Sequence, residues 1–182
     1  FDMDVVTVLG DPAKFAAVAP EGTALVLDAT ASLKVLAAQT ASHSLTQSGA
    51  RLARTVLYGQ GRCAMVALEG RQRGVTTDDL TALLFERCRW DPQLRAALKG
   101  TSSELTQVFV GENCGSLTAA MSDATVSRAA TVVAMQVERW LVHGLPEAGQ
   151  LGVGVQQNDG IGMSWSLLSQ GPTTVMPVPD DG

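Results

Sequence analysis

From Asp123 to Gly144 the chain places Val126, Ala130, Val133, Val137, Trp140 and Leu141 at steps of three and four, the spacing that lines one face of an α-helix. Val132, Met135 and Val142 lie off that stripe and leave only a narrow polar strip through Arg128, Thr131, Glu138 and Arg139. A helix covered on most of its circumference is expected. Ser122 or Asp123 can cap its first turn, and Gly144 followed by Pro146 ends it. The spacing predicts a central helix over 123–143, around which the rest of the fold is organised.

Ahead of it, the β-branched run at 4–10 predicts a short strand, and Asp11-Pro12 opens an alanine-rich helix that stops by Pro20 and Gly22. The apolar run at 23–29 has the length and composition of a strand covered on both faces, hence a central one. Helical spacing then continues from Ala31 towards Tyr58, with a break expected near Gly49. Two helices, or a helix followed by a strand at 55–58, both satisfy the pattern. Cys63 to Leu68 (CAMVAL) reads as a second buried strand. Thr76 with Asp78 and Asp79 opens a helix, and Asp91-Pro92 restarts another, which Gly100 closes. Leu105 to Val110 alternates like a strand.

Beyond the central helix, strands at 151–157 and 161–168 flank Asn158-Asp159-Gly160, where Asp-Gly suits a two-residue type I′ turn. In that register Gly154 faces Trp165 and Gly152 faces Leu167, so a bulky side chain covers each bare backbone position. The prolines and acids of 171–182 read as an extended tail or linker. Together the elements predict one α/β or α+β domain over 1–170. Its core is a mixed sheet of about five or six strands with helices packed on it and a C-terminal hairpin at 151–168. Because the chain starts at Phe1, we expect a processed protein or a domain of a longer one.

Composition narrows the function. A net charge of −5 gives no electrostatic footprint for nucleic acid, and no apolar run is long enough to span a bilayer. Cys63, Cys88 and Cys114 match no zinc or redox spacing, so free thiols are expected. No glycine-rich phosphate loop joins a strand to a helix, Gly59-Gln60-Gly61 lacks the third glycine, and no cofactor is implied.

Two residues carry candidate chemistry. Cys114, between a predicted strand and a helical start, could be a thiol nucleophile, although its flanking glycines, Gly111 and Gly115, are spaced unlike those of a nucleophile elbow. A turn around a small core side chain explains the same residues. His143 could serve as its base, yet its place in the last helical turn, where the helix dipole favours a cation, accounts for it structurally. His43, the other imidazole, reads as an exposed polar residue.

Arg71, Arg73, Arg87, Arg89 and Arg95 make the middle of the chain locally basic. Arg87, Arg89, Trp90 and Arg95 form a candidate partner surface, with a solvated face and a packed Trp90 as the other reading. Ten arginines against three lysines, with abundant Ala, Val and Gly, are similar in style to uncharacterised proteins encoded beside type VII secretion systems in mycobacteria and other actinobacteria. The resemblance implies an accessory or secreted interaction module. The expectation is a non-enzymatic domain that binds another protein or assembles with itself. A small-molecule site at the glycine-rich hairpin (Gly152, Gly154, Gly160) and a Cys114 thiol enzyme are the alternatives.

Overall fold

Cys63–Leu68 (β3) is the one strand whose six residues are all buried, and the sheet is built outward from it. The computed structural model describes residues 4–99 and 121–171. Within them a five-stranded mixed sheet runs in the order β1-β2-β3-β4-β5: Leu25–Asp28, Arg51–Tyr58, Cys63–Leu68, Gly149–Gln156 and Met163–Gln170. β1 and β2 are parallel and every other pairing is antiparallel. Seven helices are described: α1 (Val5–Gly10), α2 (Pro12–Val18), α3 (Leu33–Ala41), α4 (His43–Ser48), α5 (Thr77–Arg87), α6 (Pro92–Lys99) and α7 (Asp123–His143). No helix among the described residues is long and apolar enough to cross a membrane.

Alternation along β3 divides the core in two. Cys63, Met65 and Ala67 face one side, where Leu80 and Leu84 of α5 and Leu94 and Ala97 of α6 meet Leu151, Val153 and Val155 of β4. Ala64, Val66 and Leu68 face the other side and receive Ala129, Val133 and Trp140 of α7. A third cluster covers β1 and β2 on the α5 side, where Val8, Leu9, Phe15, Val35 and Leu45 close over Leu52 with Val26 beside them. Among the described residues, one face of the sheet is therefore roofed by six helices and the other by α7.

Several expectations are corrected. Residues 4–10 are helix, not strand: Asp4 accepts hydrogen bonds from the Val6 amide (3.2 Å) and the Thr7 hydroxyl (2.8 Å), and Val8 and Leu9 gain a core that an isolated strand would lack. The strand at 25–28 lies at the sheet edge, not its centre, and Leu27 is 46% exposed. α7 has the expected bounds, with Ser122 capping the Thr125 amide at 3.2 Å, but it buries only Ala129, Val133, Gln136 and Trp140. Leu141 is 57% exposed, because the stripe is wider than the sheet contact.

The break at Gly49 takes the left-handed conformation (φ +71°), and β2 begins directly after it, at Arg51. The hairpin keeps the expected register, Gly154 opposite Trp165 and Gly152 opposite Leu167. Its turn is longer than two residues: Gln157 N–H bonds the Gly162 carbonyl at 2.9 Å, and Asp159 accepts from the Ile161 and Gly162 amides. Gly160 alone in that turn has positive φ, so it is not type I′. The strand expected at 105–110, the stop at Gly100, and residues 172–182 lie outside the described residues.

Candidate interaction surface at the α5–α6 corner

The start of α5, the helix that leads into the α5–α6 corner, rests on a buried polar clamp. Glu69, at the end of β3, is 1% exposed, and its carboxylate accepts two hydrogen bonds from Arg73, 3.0 Å from Nε and 3.2 Å from Nη2. The Thr77 amide in the first turn of α5 lies 3.4 Å from the same carboxylate. Burial pushes the Glu69 carboxyl above its ordinary range, while Arg73 pulls it back. Gln72 and Arg73 hold left-handed backbone, so the loop is bent around this pair.

α5 then starts with a capping box: the Thr76 hydroxyl accepts from the Asp79 amide at 3.2 Å, and Asp79 accepts from the Thr76 amide at 2.8 Å. Leu80 and Leu84 fasten one face to the core. At the far end the chain turns without leaving its amides unpaired. Cys88 and Arg89 donate to Leu84 and Glu86 at 3.3 and 3.0 Å, and Trp90 and Asp91 both donate to Arg87 at 3.0 and 2.9 Å. Asp91 caps α6 by accepting from Leu94 at 2.9 Å, and buried Leu94 and Ala97 hold that helix down.

On this fixed backbone Trp90 is 78% exposed, with the Arg89 guanidinium 5.8 Å from its ring centroid. Exposed Phe85 sits one turn back on α5, edge-on to Tyr58 at 6.2 Å. Arg89 and Arg95 are exposed as well, whereas Arg87 is half-buried in a cleft of about 160 Å³ with Asp91, Leu94 and Trp165. None of Arg87, Arg89 and Arg95 forms an ion pair among the described residues. The reading in which Trp90 packs at the corner is thus corrected: α6 begins two residues later, at Pro92, and the ring stays exposed.

The other candidates are not brought together. Cys114 lies outside the described residues. His143 is exposed at the end of α7 and His43 is exposed at the start of α4, on opposite faces of the sheet. Burial pushes the Cys63 thiol up to about 12, the Cys88 thiol is raised by burial and by Asp91, and both remain thiols at neutral pH. Arg71 and Arg73 belong to Glu147 and Glu69, at 3.0 Å each, and not to the Trp90 surface. Two of the three hairpin glycines are covered, since Trp165 lies directly on Gly152 and a Cβ at Gly154 would come within 3.1 Å of the same ring, whereas Gly160 is exposed in the turn. No cluster of three His, Cys, Asp or Glu side chains suited to a metal occurs among the described residues.

A second feature lies on the opposite face of the sheet. Because α7 covers only part of its face, Leu27 of β1, Leu57 of β2 and Ala130, Ala134, Val137 and Leu141 of α7 line an open apolar groove of about 880 Å³. A strand placed at the sheet edge beside a helix with surplus apolar stripe was its only signal, and edge position is not written in one sequence.

By fold this is an α+β chain, a five-stranded mixed sheet with its helices divided unequally between two faces. No protein-family model, curated protein or solved structure matches it.

Proposed function

We propose that this chain is a non-enzymatic protein-interaction domain whose recognition surface is the α5–α6 corner, and that its partner presents an acidic patch. The observation that carries the reading is Trp90, 78% exposed on a fully hydrogen-bonded turn and flanked by the Arg89 guanidinium. Tryptophan and arginine are the residues most enriched at binding hot spots, because they bury much area for few lost rotamers. Guanidiniums that form no ion pair among the described residues, on a chain of net charge −5, favour carboxylate-bearing partners. An accessory role beside a secretion system, as the resemblance implies, is compatible with such a surface.

Affinity capture from the source cell with the wild-type domain, Trp90→Ala and Arg89→Glu tests the reading. Acidic proteins retained by the wild type and lost with both variants are expected. Equal retention by all three folded proteins would remove the corner from the function.

A further inference from the structure

The two edges of the sheet are not alike. β1 is four residues long, ends in Asp28 and runs beside the apolar side of α1 and α2. β5 is twice that length, and Met163–Gln170 (MSWSLLSQ) contains no charged residue and no proline. Its eight residues pair with β4 in unbroken register, so no bulge turns the outer side away. Short length, charge, proline, bulges and a covering helix or loop are the devices by which proteins keep a sheet edge from pairing with another chain, and among the described residues β5 has none of them.

We propose that two copies of this chain pair antiparallel through β5 and join their sheets into one. The strand is self-complementary about Ser166, which is exposed. With the two-fold axis there, Trp165 of each copy lies opposite Leu167 of the other on the α7 face, and Ser164 lies opposite Leu168 on the α5 face. Aromatic and aliphatic residues placed directly across such a pair stabilise it. Leu167, 40% exposed, is covered by this arrangement, and Trp165 is already held in place by Gly152 and Gly154 beneath it. The contact is isologous, so it closes at two copies and does not propagate. Leu167 lies outside the cleft that Trp165 shares with Arg87 and Asp91, so its variant tests the pairing apart from the Trp90 corner.

Sedimentation equilibrium of the purified domain, with Leu167→Lys and Ser166→Cys as variants, tests the pairing. A dimer is expected for the wild type. Leu167→Lys changes an exposed side chain and sets two positive charges beside the axis, so self-association weakens more than about tenfold while the circular dichroism spectrum and melting temperature stay the same. Ser166→Cys places the two new sulfurs on residues about 4.5–5.5 Å apart at Cα, within disulfide range, so mild oxidation cross-links the copies beyond the level seen with the parent chain. A wild type that stays monomeric at every concentration overturns the proposal. So does a dimer that survives Leu167→Lys, or a Ser166→Cys dimer that gives no additional cross-link.

Discussion

Of the regions of this chain that leave large apolar side chains in water, two are built in opposite ways. At the α5–α6 corner one tryptophan stands on a turn whose amides are all bonded, with arginines around it. Along α7 a row of aliphatic side chains, Val137 and Leu141 among them, borders an uncovered stretch of β1 and β2, and Glu138 is the one charged residue lining the groove. The corner is a small, rigid feature with a charge preference, the composition of a recognition site. The α7 flank is broad and has few polar groups, Thr55 and Glu138 among its lining, because α7 is the one helix among the described residues laid on that face of the sheet. Exposure alone does not separate the two; what supports the exposed residue does.

The strongest way to break the contrast is to loosen the anchored start of α5, the helix that carries the corner at its other end. Glu69→Ala leaves Arg73 without its carboxylate and detaches the start of α5 from β3. Breaking a buried pair costs several kcal/mol, and Arg73 keeps some contact with water, so a loss of about 3 kcal/mol in urea unfolding is expected. Hydrogen exchange should rise in α5 before it rises in α7.

Trp90→Ala sharpens the contrast from the other side. An exposed ring contributes little to folding, so the melting temperature should hold, while partner affinity falls by about 2 kcal/mol or more in a binding titration.

The next effect is smaller and depends on pH. Burial raises the Glu69 carboxyl above 4.5, so on rising from that pH the native state retains a proton that the unfolded chain has already released. Stability contributed by Glu69 is therefore complete at low pH and declines as pH climbs through the raised value. Glu69→Gln stays neutral throughout, and its urea midpoint should show a shallower decline over that interval than the wild type.

The reasons for legibility differ by element. α5, α6 and α7 could be read because their ends carry local signals, the Thr76 and Asp79 capping box, Asp91-Pro92 and Ser122, which operate whatever the helix packs on. β3 could be read because it is apolar at every position. The segment 5–10 was not, since Val5, Val6, Thr7 and Val8 favour a strand locally and only contacts with Phe15, Val35 and Leu45 reward the helix. The Asp4 cap was the overlooked signal. For the candidate site, the four residues Arg87, Arg89, Trp90 and Arg95 were visible as a cluster. Whether Trp90 was packed or exposed was not, because it depends on the angle between two helices, and no spacing in the sequence encodes that angle.

The smallest effect is expected on the α7 flank. Leu141→Ala removes an exposed side chain from a groove that no described residue fills, so stability should move by less than about 0.5 kcal/mol.

The most direct measurement of the central claim is quantitative capture from one lysate by three proteins, the wild type, Trp90→Ala and Leu141→Ala. The account predicts an acidic protein held by the wild type and by Leu141→Ala and lost with Trp90→Ala. A partner that stays with Trp90→Ala and leaves with Leu141→Ala would place recognition on the α7 flank and contradict it.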